Sequence, residues 1–120
     1  MDAQRAVAVL QTPIVGLASY GTAAHAYTVA AAHDAELRRS LQAAHADFAR
    51  LRAQLDSVGS SSSSDEAVTA VIERVQQQHR ERRAIVARLR TELETVATAL
   101  VVGRESMTRY AQDAATAASK

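Results

Sequence analysis

Apolar positions recur in steps of three and four along two long stretches of the chain. The first seam runs through Tyr20, Ala23, Tyr27, Ala30, Asp34, Leu37, Leu41, Ala44, Phe48, Leu51, Leu55 and Val58. The second runs through Val68, Ile72, Val75, His79, Arg82, Val86, Leu89, Leu93, Val96 and Leu100. Both keep a 3.5-residue repeat, the spacing by which a helix presents one narrow stripe to a partner helix. Between them lie Asp56-Ser57-Val58-Gly59 and five serines, Ser60 to Ser64, a composition that predicts a turn. Two arms joined by a short turn fold antiparallel.

Local signals place the ends of these elements. Thr12-Pro13 suits an N-cap and first turn, because proline lacks only an N–H that is unpaired there anyway. Helix 1 is therefore expected over about 13–57, and residues 3–11 read either as a separate turn of helix or as an extension kinked at Pro13. Gly59 can cap helix 1, and Ser63-Ser64-Asp65-Glu66 reads as a capping box, giving a serine-rich turn at 58–63 and helix 2 over about 64–101. Gly103 reads as a second break, after which Glu105 and Ser106 open a short third helix over about 104–118. Met107, Tyr110, Ala111 and Ala114 give that tail a modest apolar face. The fold expected is all-α: a single domain, 1–120, built as a three-helix bundle on a long antiparallel coiled-coil hairpin with a shorter third helix. With the turn centred near residue 62, facing residues should have numbers summing to about 124, which sets Ala44 against the level of His79 and Arg82 and Asp34 near Arg90.

Composition explains how such a chain is held. Of 120 residues, 27 are Ala and four are aromatic (Tyr20, Tyr27, Phe48 and Tyr110), too lean for a thick globular core. Ala23, Ala30 and Ala44 fall on the seam, where small side chains let two helices approach closely. No apolar run reaches the ~20 residues a membrane-spanning helix requires. Residues 6–18 resemble the apolar part of a signal peptide, but Asp2 in the leading region and the interruption at Gln11-Thr12-Pro13 argue against one.

Candidate chemistry is sparse. The chain has no Cys, so disulfides, thiolate metal sites and cysteine nucleophiles are excluded, and a reducing compartment fits. His25, His33 and His45 lack metal-ligand spacing, the serines cluster in the turn, and the four glycines never approach a phosphate-binding pattern. The expectation is a non-enzyme without cofactor or metal. Net charge is only +1, yet five of the thirteen arginines crowd into 79–90 (HRERRAIVARLR). Arg83 and Arg90 share a face, Arg80 stands one turn before, and Arg88 flanks them, a stripe about 15 Å long at 1.5 Å rise per residue. One reading is a solvated face balanced by Glu73, Glu81, Glu92 and Glu94; the other is a binding site for an acidic protein, with Arg80, Arg83, Arg88 and Arg90 as contacts. Nucleic acid is disfavoured, since aromatic residues do not interleave with the basic ones. His79 and Arg82 interrupt the second seam, either as a polar level that fixes register or as a point where the stripe turns outward.

Three stretches together resemble the tubulin-binding cofactor A family. LQTPIVGL (10–17) is similar to that family's opening, DFARLRAQ (47–54) to its run before the first turn, and ERRAIVARLRTELETVATAL (81–100) to its Glu-x-Arg entry and Leu-Glu-x-Ala-type exit. The match requires about three additional turns in each arm, equal lengthening that an antiparallel hairpin accommodates. This chain has Ala and Arg where the family is rich in Lys and Glu, and Ala87 where the family has a helix-bending proline. The resemblance implies a cytoplasmic, cytoskeleton-associated folding cofactor that holds β-tubulin during dimer assembly, as a monomer or weak homodimer with no membrane or nucleic-acid partner. Alternatives are a structural coiled-coil subunit of a trafficking or cytoskeletal complex, and a secreted helical hairpin if the N-terminus is cleaved near Ala26.

Overall fold

The computed structural model describes residues 1–59 and 65–119, apart from the side chains of 58, 59, 65 and 67. Three helices account for nearly all of it: α1 (Ala3–Leu10), α2 (Leu17–Gly59) and α3 (Asp65–Ala118). No strand occurs among the described residues. The all-α fold with two long helices and one short one is as expected, but the short helix is a different segment.

Residues 104–118 do not form a third helix. They continue α3, which runs for 54 residues through Gly103 without a break. Glycine in a helix interior costs only about 1 kcal/mol relative to alanine, too little to stop a helix that gains packing on both sides. Among the described residues no glycine adopts a positive φ, so Gly103 acts as a helical residue and not as a cap. The short helix lies instead at the N-terminal end. Asp2 caps α1, its Oδ1 accepting from the Arg5 N–H at 2.8 Å, and Thr12 closes the far end by donating to the Ala8 carbonyl at 2.9 Å. Helix α2 then starts at Leu17, later than the expected Pro13. Its organiser is Ser19, whose Oγ accepts from the N–H of Val15 at 2.9 Å and of Gly16 at 3.1 Å and donates to the Gly16 carbonyl. A side chain inside the first turn thus does the work assigned to Thr12. The serine turn and the capping box at Ser63 lie outside the described residues.

The helices pass through two compact units. One comprises Met1–Leu37 with Glu92–Lys120, the other Arg38–Thr91. In the first, Ala23, Ala26 and Ala30 of α2, Val96 and Ala99 of α3 and Ala6 and Leu10 of α1 are buried. Ala6 and Leu10 stand four apart on one face, so α1 contributes one short stripe to a three-helix core. Leu10 is 1% exposed and rests on Gly103, where a Cβ would lie 3.2 Å from Leu10 Cβ and Cγ and closer still to Cδ2. The missing side chain of Gly103 is therefore the notch that receives α1. Around this core, Tyr20 packs on Tyr110 with ring centroids 5.4 Å apart, and His33 Nε2 meets Glu92 Oε1 at 2.8 Å. Arg104 donates to the Tyr27 hydroxyl at 3.0 Å, a bond that raises its already high pKa and leaves the cation charged throughout the physiological range.

In the second unit Leu51, Ala44, Val75 and Val86 are buried along the expected seam. His79 and Arg82 do not form a buried polar level: no polar or charged side chain is buried among the described residues. Arg82 is half-buried and reaches across to Asp47, Nε to Oδ2 at 3.3 Å, while Asp47 also takes a hydrogen bond from Arg50. His79 is exposed, its ring tilted against Phe48 at a centroid distance of 5.0 Å.

The pairing register departs from the expected sum of 124 in one direction. Contacting pairs sum to 125 for His33 with Glu92, 127 for Phe48 with His79, 129 for Asp47 with Arg82 and 131 for Tyr27 with Arg104. Helical side chains lean toward their own N-terminus, so in an antiparallel pair each contact joins residues about one position or more beyond the level of their backbones. The offset doubles across the pair and grows with side-chain length, which is why Tyr27 with Arg104 departs furthest.

Candidate functional site

The arginine cluster belongs to α3 within the unit Arg38–Thr91. Arg80, Arg83, Arg88 and Arg90 are all exposed. Arg80 donates to Gln77 Oε1 at 2.8 Å, and Gln77 in turn donates to Glu81 Oε1 at 3.2 Å. Arg83, Arg88 and Arg90 form no hydrogen bond or ion pair among the described residues, so their charges are not consumed internally. The stripe is narrower than its sequence suggests. Arg88 stands five residues after Arg83, which carries it about 140° round the helix. Arg83 and Arg90 keep a common face.

The same unit carries an apolar groove, lined in part by Arg80. The groove, of about 770 Å³, runs between α2 and α3, floored by Phe48, Leu51 and Leu55 on one side and Val75 and His79 on the other. Phe48, Leu51 and Leu55 are spaced by three and four, so they form a continuous apolar strip along α2. Gln76 also lines the groove, and Gln76, Arg83 and Arg90 follow one another at intervals of seven. Arg83 and Arg90 thus extend the groove's flank along α3, with Arg80 lining the groove itself.

The charge of the groove lining itself is one-sided. The groove lining contains Arg52 from α2 and Arg80 from α3, and no acidic residue. Asp47, beside Phe48 on α2, is engaged by Arg50 and Arg82. An arginine pair facing open solvent beside an apolar floor is suited to carboxylates, which the guanidinium fork binds through two parallel hydrogen bonds.

No group of three or more potential metal ligands occurs among the described residues. His25 is exposed, His33 is paired with Glu92, and His45 and His79 both lie against Phe48, with ring centroids 6.4 Å and 5.0 Å away. Among the described residues no helix is long and apolar enough to cross a membrane. Arg52 and Leu55 were missed by reasoning from sequence. Leu55 is one seam residue among many, and Arg52 carries no signal of its own in the sequence; only the level at which α3 crosses them makes them neighbours of Arg80 and His79. No family model matches this chain, and neither the curated proteins nor the solved structures include a match to it.

Proposed function

We propose that the chain is a non-enzymatic binding protein that captures an acidic surface of a partner protein on the α3 flank carrying Arg80, Arg83 and Arg90. The observation that supports this most is the pair Arg83 and Arg90: exposed, on one face, seven residues apart and without an ion pair among the described residues. Such unspent charges accelerate encounter with an anionic partner, and apolar contacts alongside them then set the residence time. The resemblance to tubulin-binding cofactor A supplies the specific partner, β-tubulin during dimer assembly, for a monomeric or weakly dimeric protein acting in the cytoplasm beside the cytoskeleton. Pull-down of freshly folded β-tubulin and of αβ-tubulin tests it. Wild type should retain β-tubulin, and Arg83→Glu/Arg90→Glu should retain at least tenfold less; failure of wild type to retain it overturns the tubulin reading, and equal retention overturns the role of the two arginines.

A second reading, a coiled-coil subunit of a multi-protein trafficking or cytoskeletal assembly, is favoured by a separate observation. Val15 is 88% exposed, Leu17 78% and Val101 53%, large apolar side chains that a sister subunit could cover. Sedimentation of the isolated chain separates the two: a discrete monomer or weak dimer supports the cofactor reading, and higher oligomers support the assembly subunit.

A further inference from the structure

We infer that the groove floored by Phe48, Leu51, Leu55, Val75 and His79 is the seat of an amphipathic helix supplied by the partner protein, its apolar residues entering the groove and its carboxylates meeting Arg52 and Arg80. The inference rests on the reading above in one respect, that the partner is an acidic protein; it adds the shape of what is recognised. In the unit containing α1, the third helix closes the core by seating Leu10 on Gly103 of α3 and burying Ala6. In the unit Arg38–Thr91 only α2 and α3 contribute, and no third helix lies there among the described residues. What remains is a two-turn apolar strip with Leu55 38% exposed and Phe48 half-buried.

Groove and rim together select the occupant. The floor runs along α2 from Phe48 to Leu55, about 10 Å at 1.5 Å per residue, or two turns of helix. An incoming helix lying along it would present anchors at i, i+4 and i+7, the usual mode in which a helix enters a groove. A free anionic metabolite would find no buried polar group to orient it, since none of the polar side chains in the lining is buried. A second copy of this chain would bring its own Arg52 and Arg80 toward the same cationic rim. Charge complementarity therefore favours an acidic helix over both.

The test uses the full chain and three synthetic peptides of about 15 residues, long enough to sample helix. The first carries Leu at i, i+4 and i+7 with Glu on the flanks; the second replaces each Glu by Lys; the third scrambles the first so that the Leu stripe is lost. Fluorescence anisotropy should show the first peptide binding at least tenfold tighter than either control. Leu55→Asp should weaken it at least tenfold, as should Arg52→Glu/Arg80→Glu, which should also flatten its salt dependence. Ala49→Trp, at an exposed position of the lining, provides a second block should Leu55→Asp lose helicity. Equal binding of the scrambled peptide, or unchanged binding by both blocking variants, overturns the proposal. So does a wild-type dimer that Leu55→Asp converts to monomer and that the peptide fails to compete, because the occupant is then a second copy. The two proposals fail separately: retention of β-tubulin through Arg83 and Arg90 with no stripe preference removes only the groove, and groove binding without β-tubulin retention removes only the tubulin reading.

Discussion

Replacing Gly103 by alanine sets two effects of known sign against each other. Alanine in a helix interior is favoured over glycine by about 1 kcal/mol, so at an open position Gly103→Ala would stabilise α3. Here the new methyl would stand 3.2 Å from Leu10 Cβ and Cγ and nearer to Cδ2. Leu10 is 1% exposed, so its tip has no solvent-filled space into which to swing. Overpacking of this kind costs about 1–3 kcal/mol, and the net expectation is a loss of about 0–2 kcal/mol. The loss is bounded by what docking of α1 contributes, because an eight-residue helix can come away from the core when its seat is filled. Leu10→Ala empties the same contact and should cost about 2–3 kcal/mol, the low end for a buried leucine for the same reason. In that background the methyl has room, and Gly103→Ala should become stabilising by about 1 kcal/mol. The assay is a double-mutant cycle by urea denaturation followed by far-UV circular dichroism, with hydrogen exchange reporting whether Ala3–Leu10 loses protection in Gly103→Ala. A gain of the same size in both backgrounds would refute the notch: the glycine would then be ordinary helix sequence, and Leu10 would be packed elsewhere.

Other positions follow from the same geometry. Ala26→Leu, at a position with no exposed surface, should destabilise by about 1–3 kcal/mol in thermal melts, whereas the exposed Ala24→Leu should change stability by under about 0.5 kcal/mol. Ser19→Ala removes the acceptor for two N–H groups at the start of α2 and should cost about 1 kcal/mol, with the loss of exchange protection confined to residues near 15–22. Arg82→Leu gives up a half-exposed ion pair with Asp47 and extends the apolar seam, so urea denaturation should show a change of less than about 1 kcal/mol in either direction.

The seam was legible because its signal is local and repeated. Leu37, Leu51, Val75, Val86 and Val96 are buried where the 3.5-residue spacing places them, and the seam alanines at 23, 30 and 44 are buried with them. His79 had two readings, and the structure agrees with the outward one. Its ring meets Phe48 of the partner helix, as a seam position should, yet stays exposed, because the seam in this unit is open along the groove that His79 lines. Gly103 misled because a glycine between two helical stretches is locally indistinguishable from a cap; its meaning depends on Leu10, near the opposite end of the chain. The arginine face was readable as a face, since exposure at seven-residue spacing needs no partner to define it. Its neighbour, the groove, was not, because Arg52 and Leu55 meet His79 and Arg80 only through the pairing of two helices that lean toward their own N-termini.

The long reach of α3 also gives folding an order. Phe48 meets His79 and Asp47 meets Arg82 across 35 residues or fewer, while His33 meets Glu92 across 59 and Tyr27 meets Arg104 across 77. Closing a loop costs more as it lengthens, by about 0.6 kcal/mol per doubling, and once the inner contacts exist each outer pair closes only the few residues left between. The chain can therefore zip from the inner contacts outward, with the groove-bearing unit assembled before α1 has anything to dock against. Substitutions at Leu51 and Val75 should slow refolding, and substitutions at Leu10 should chiefly speed unfolding. A nascent chain that reaches the ribosome exit in this order completes the groove between Phe48 and His79 before its own N-terminal helix finds the glycine that holds it.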